Sequence, residues 1–119
     1  MNIKGIGIDI VEIDRVRKLI GSNPKFLKRV FSDGEIAYCR KKKKKWQHFA
    51  VRFAAKEAVW KALGKGGVAL KNIEVKNKKN GSPQVRIKGK DLDKRYNVFI
   101  SLTHSSNQAV ACAVINGKG

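Results

Sequence analysis

"RFAAKEAVWKALG", residues 52–64, reads as a helix with one narrow greasy face. Ala54, Ala55, Ala58, Val59, Ala62 and Leu63 recur at helical spacing and form the stripe. Side chains this small let a helix lie close against its neighbour. Gly64 is placed to end it. Glu57 and Lys61 stand one turn apart on the border of the stripe. As a surface ion pair they would contribute only about 0.2–0.5 kcal/mol.

A strand supplies a second carboxylate. "IKGIGIDIVEI", residues 3–13, alternates: Ile6, Ile8 and Ile10 point one way, Gly5, Gly7 and Asp9 the other. Aspartate is a poor strand former. If its face is covered, a lone carboxylate is costly unless it is paired or bound to a cation. The flanking glycines leave room for a ligand or for another backbone. A carboxylate on a strand and one on a helix packed against it can share a hard cation. Magnesium is typically held by one or two carboxylates, with waters and substrate phosphates completing the shell. Asp9 and Glu57 are therefore candidate metal ligands. Lys61 beside them could neutralise a phosphate or a leaving group. The "GKGG" run (Gly64, Lys65, Gly66 and Gly67) could offer backbone N–H groups to an anion. It follows a helix, where the dipole opposes an anion, so a helix-ending turn is the alternative reading.

The remaining segments fit around this pair. "EIDRVRKLIG" reads as a short helix closed by Gly21, and Pro24 opens another, "PKFLKRVF". Ser32 precedes Glu35 at capping-box spacing. "RKKKKKW", residues 40–46, reads as a solvated helix end or loop. "IEVKN" and "PQVRIKG" flank Asn80-Gly81, a hairpin signal. "NVFISLTH" and "QAVACAVING" are two further strands joined by "SSN". One strand, then helices, then a meander predicts an α+β fold, an antiparallel sheet packed by helices. Neither a repeat nor a linker interrupts it, so a single domain over residues 1–119 is expected.

Composition narrows the function. Hydrophobic residues are 42% and charged residues 30% of the chain, a globular balance. No apolar run approaches the roughly 20 residues of a membrane span, and no secretory leader is visible at the N-terminus. Cys39 and Cys112 are scattered thiols, which suit a reduced, intracellular protein, and neither is assigned a catalytic role. Lys plus Arg is 27 against 9 for Asp plus Glu, a net charge of +18. That field favours an anionic partner. A lysine-rich proteome would account for it equally well.

The motifs carry a resemblance. "GIGIDIVEIDRV" and "RFAAKEAVWKALG" resemble the two signature motifs of the holo-acyl-carrier-protein synthases, the small bacterial type of 4'-phosphopantetheinyl transferase, and "SLTHSSNQAVACAVI" looks like that family's C-terminal strand pair. The resemblance implies a 4'-phosphopantetheinyl transferase-like fold. It also implies transfer of the 4'-phosphopantetheine arm of coenzyme A, the substrate, to a serine of apo-acyl carrier protein. Adenosine 3',5'-bisphosphate is released, and the reaction supports fatty acid biosynthesis. Such enzymes require magnesium, work in the cytoplasm and form homotrimers with sites at subunit interfaces, without nucleic acid or membrane insertion. On this footing Asp9 and Glu57 hold the metal, and Glu57 and Lys61 are the catalytic residues. Lys61 meets the coenzyme A phosphates, and the Gly64, Lys65 and Gly66 run is the candidate to help hold them. Arg52 and His104 line the nucleotide site, His104 from the neighbouring subunit. Arg15, Lys25 and Arg29 dock the acidic carrier protein, with Phe26 as an apolar anchor. The base that takes the serine proton stays open between Glu57 and a metal-bound water. Two other classes compete. A basic nucleic-acid-binding domain explains the charge but not Asp9, and few aromatics interleave with the basic residues. A trimeric scaffold without chemistry would have no use for Asp9, Glu57 and Lys61 together.

Overall fold

Two glycines set how the longest helix meets the sheet. In the computed structural model, which describes residues 2–64 and 68–118, β1 (Ile3–Glu12) packs against α4 (Lys45–Ala62). A methyl group added at Gly5 would fall on the carbonyl oxygen of Ala62, and one at Gly7 on that of Ala58. Backbone therefore meets backbone, and only glycine on the strand and alanine on the helix permit the approach. Ala54, Ala55, Ala58, Val59 and Ala62 are all buried, as the stripe predicts.

Between these elements lie α1 (Ile13–Ser22), α2 (Pro24–Val30) and α3 (Asp33–Arg40). After α4 come a 3-10 turn at Leu70–Asn72, β2 (Ile73–Asn77), β3 (Pro83–Ile87), α5 (Leu92–Arg95), β4 (Tyr96–His104) and β5 (Gln108–Gly117). The three-stranded antiparallel sheet has the order β1-β5-β4, and β2 and β3 form a separate hairpin. This is the expected α+β architecture, with α4 lying across the three-stranded sheet. Gly21 does not close α1. The helix runs through it to Ser22, because Pro24 is what forces the preceding Asn23 into extended backbone. Ser32 and Glu35 form the expected capping box in both directions. Lys41 to Lys44 are exposed in the turn from α3 into α4, and Lys45, also exposed, opens α4. Gly81 takes a positive φ of 88° in the hairpin turn.

The covered sheet face carries Ala109, Ala111, Ala113 and Ile115 of β5, opposite α4. The other face is apolar and open. Ile6, Ile8 and Ile10 are 63%, 63% and 59% exposed, and Phe99 of β4 is 56% exposed. Val110, Cys112 and Val114 lie between them by register. Cys39 is buried away from this face, and burial pushes its thiol up to about 11. Among the described residues, no helix is long and apolar enough to cross a membrane.

Candidate active site

Asp9 sits on the covered face of β1, and Lys61 reaches across from the end of α4. The Lys61 ammonium donates to Asp9 Oδ1 at 2.9 Å and to the Ile8 carbonyl at 3.1 Å. It makes no ion pair with Glu57 among the described residues, so the surface pair is not formed. Glu57 lies one turn earlier on α4 and is half-buried. Its carboxyl is raised above the ordinary glutamate value, first by burial, then by the negative charge of Asp9, with Lys61 opposing. Two carboxylates that repel one another, only one of them paired to the ammonium, suit a divalent cation. Among the described residues no group of three metal-ligating side chains occurs. Two carboxylates completed by phosphates and water fit magnesium better than a site built wholly from protein.

The two carboxylates line one cavity of about 370 Å³, together with Glu12, Arg15, Phe53 and Gln108. Glu12 was not foreseen. Strict alternation puts it on the face opposite Asp9, and only the end of β1 at this residue brings it to the cavity. Arg15 on α1 is exposed at the cavity lining. Lys25 and Arg29 are exposed on α2. Phe26 is half-buried, its ring 5.7 Å from Phe53 and 6.4 Å from Phe31, so it is partly committed to the core. Gly64 ends α4 with a φ of 83°, its N–H donating to the Lys61 carbonyl. Lys65 and Gly66 lie outside the described residues.

Arg52 and His104 share a different cavity, of about 380 Å³, with Gln47, His48, Asn77 and Pro83. It has no lining residue in common with the first. Within one chain, then, these two residues are not brought to Asp9, Glu57 and Lys61. Arg52 is 4% exposed, its guanidinium stacks 4.2 Å from the Tyr38 ring centroid, and its Nε has no hydrogen-bond partner among the described residues. A buried donor without an acceptor is costly. His48 is depressed by burial first, then by the charges of Arg52, Lys42 and His104. His104 Nε2 lies 3.0 Å from Gln47 Nε2.

One feature of α4 escaped the sequence reading. Lys56 is fully buried. Its ammonium lies 2.6 Å from Glu35 Oε1 and donates to the carbonyls of Leu70 and Ile73. Burial pushes this ammonium down and Glu35 pulls it back up. The signal was available: Lys56 borders the stripe beside Val59 and Leu63, where a covered lysine needs a partner.

The fold and the sequence have counterparts among known proteins. The chain belongs to the 4'-phosphopantetheinyl transferase superfamily, whose sequence model matches residues 5–115. It is 48% identical to the holo-[acyl-carrier-protein] synthase of Thermodesulfovibrio yellowstonii, over 95% of this chain and 98% of that protein. A holo-[acyl-carrier-protein] synthase of Clostridium botulinum is also 48% identical, over 95% and 97%. The crystal structure of a holo-(acyl-carrier-protein) synthase from Bacillus anthracis in complex with CoA (3',5'-ADP) superposes with a TM-score of 0.82. It is 35% identical and covers 98% of each chain. The Helicobacter pylori enzyme in complex with coenzyme A gives 0.80 at 31% identity, over 93% of this chain and 99% of that one.

Proposed function

We propose that this protein is a holo-acyl-carrier-protein synthase, moving the 4'-phosphopantetheine arm of coenzyme A to a serine of apo-acyl carrier protein. One domain over residues 1–119 performs the reaction, in the cytoplasm, in support of fatty acid biosynthesis. The observation that carries the reading is Asp9 and Glu57 facing one cavity with Lys61 beside them. Asp9 and Glu57 would hold magnesium. When bound there, the ion supplies positive charge against the pyrophosphate and disperses the charge that builds on the leaving bisphosphate. The serine oxygen bonds to the β-phosphorus as the bond to the bisphosphate oxygen breaks. Lys61 stabilises that oxygen or protonates it. The serine proton goes to Glu57 or to a water at the site. The basic surface serves phosphates and the acidic carrier rather than nucleic acid. Incubation with coenzyme A, magnesium and apo-carrier, followed by weighing the carrier, tests this. The expected gain is one phosphopantetheine group. An unmodified carrier, with retention of random duplex DNA at physiological salt, would point to the nucleic-acid class instead.

The enzyme works as a homotrimer on this proposal. The open face of Ile6, Ile8, Ile10 and Phe99 is a contiguous apolar patch of the kind that marks an interface. A neighbouring subunit would bring Arg52 and His104 to the carboxylates, which one chain keeps apart. Ile8→Glu is expected to sediment as a monomer and lose turnover. Wild-type protein sedimenting as a monomer at working concentration would dispose of the trimer.

Arg15, Lys25 and Arg29, with the half-exposed Phe26, form the docking surface for the carrier. Reversing all three charges should raise KM for the carrier about tenfold or more, through slower association. Wild-type KM should also climb with salt, because exposed charges are screened beyond roughly 8 Å at physiological ionic strength. A triple variant that modifies the carrier at the wild-type rate, at low salt and sub-saturating carrier, rules this surface out.

A further inference from the structure

A buried cation and two buried carboxylates share a small space, and they are not paired in the obvious way. A cavity of about 260 Å³ is lined by Arg52, Glu35, Glu74 and Tyr38. Guanidinium and carboxylate attract strongly in such surroundings and pair through two parallel hydrogen bonds when free to do so. Yet the Arg52 Nε has no acceptor among the described residues. Both carboxylates are engaged elsewhere. Glu35 Oε1 is 2.6 Å from the Lys56 ammonium and accepts the Ser32 N–H at 2.9 Å. Glu35 Oε2 accepts the Val75 N–H at 2.8 Å. Glu74 Oε2 accepts the Ser32 hydroxyl at 2.7 Å, and Glu74 Oε1 is 3.5 Å from the Lys76 ammonium.

Lys56 lies one turn beyond Arg52 on α4, so the two project from the same face of the helix. Its three N–H donors have three acceptors: Glu35, the Leu70 carbonyl and the Ile73 carbonyl. The ammonium is therefore fixed, and it fixes Glu35.

We propose that Lys56 is a positioning residue for nucleotide binding: by holding Glu35 it keeps the Arg52 Nε–H without a carboxylate partner, so that the guanidinium stays available to the phosphate of an incoming ligand. Lys56 is sealed from solvent and touches no ligand itself. Without the ammonium, Glu35 would be a buried carboxylate short of one partner, beside a buried guanidinium short of one acceptor. They would pair, and a phosphate would first have to break that pair. The inference rests on Arg52 being a phosphate ligand, as the proposed function has it.

Adenosine 3',5'-bisphosphate is the probe, measured by calorimetry without carrier. Lys56→Met should weaken its binding and raise KM for coenzyme A about tenfold or more, since a charged hydrogen bond must be broken first. The kcat at saturation should stay within about twofold, a split that general loss of structure would not produce. In the nuclear magnetic resonance spectrum the Arg52 Nε–H should move downfield as it gains a carboxylate. The double variant Glu35→Gln/Lys56→Met removes the competing carboxylate along with the ammonium. It should return bisphosphate affinity to within about threefold of wild type. Lys56→Gln, which keeps an amide donor toward the Leu70 and Ile73 carbonyls, takes the place of Lys56→Met if that variant does not fold. Unchanged affinity in the single variant overturns the inference, and so does a double variant that keeps the defect. Wild-type protein that fails to bind the bisphosphate would overturn the proposed function itself, which is a different result.

Discussion

Asp9→Ala and Glu57→Ala are each expected to lower transfer by about 10²–10³-fold, the loss typical when one group stabilising developing charge is removed. Asp9 and Glu57 face the same cavity from β1 and α4, so neither can substitute for the other's position. Glu57 also gives the prediction a dependence on pH. Its folded value is raised by burial and by Asp9. Its contribution to stability is thus present below the ordinary glutamate value and is lost as pH rises through the raised one. The metal-free protein should therefore melt earlier as pH climbs through that window. Glu57→Gln should remove the decline and raise the neutral-pH melting temperature of the metal-free protein. Magnesium needs the ionised carboxylate, so its stabilising effect should grow over the same window in wild type and vanish in Glu57→Gln. Melting curves with and without magnesium, paired with turnover, check both halves. Near-normal turnover of either alanine variant at limiting magnesium would remove the shared-metal reading.

Gly7→Ala is expected to cost about 3 kcal/mol of stability or more, at the upper end of what overpacking produces. The added methyl meets the carbonyl oxygen of Ala58, which is backbone and cannot rotate away. Ala58 is fully buried, so α4 can retreat only by parting from β1. That retreat also separates Glu57 and Lys61 from Asp9, so turnover should fall with stability. Gly21→Ala is the control with the opposite sign. Open space surrounds Gly21 and it lies within α1, so alanine there should add about 0.5–1 kcal/mol. Urea midpoints decide it. A Gly7→Ala protein with the wild-type midpoint would mean the seam between strand and helix is looser than described.

How much of this was legible in the chain depended on how local each signal was. The alternation of residues 3–13, the alanine stripe and the Ser32–Glu35 capping box each act within one element, so the sequence alone shows them. Alternation shows that a strand has two faces but not which one is covered. Here the isoleucines face out and the glycines face in, because a helix approaching at backbone distance needs glycine more than it needs isoleucine. Asp9 and Glu57 could be joined by reasoning, since an aspartate inside a strand demands a partner. Nothing in spacing ties Arg52 to His104. That pairing rested on family resemblance, and the structure places both on one cavity without bringing them to the carboxylates. The Glu35–Lys56 pair was hidden because Glu35 already had an explanation as a cap. A residue with one clear role gives no hint of a second.

The strand order has a consequence for the making of the molecule. In the three-stranded sheet β1 and β4 bond only to β5, and Asp9 sits opposite Ala111, nearly the whole chain away. During synthesis from the N-terminus, Asp9, Glu57 and Lys61 all emerge long before their supporting strand exists. At about 5–20 residues per second, a nascent chain spends several seconds with helices formed and β1 unpaired. Its glycines and isoleucines then present an open edge of the kind that invites other strands. On the proposed function, a growing chain would therefore offer no competent site, because the site closes only when residues 108–117 slot between two strands made earlier.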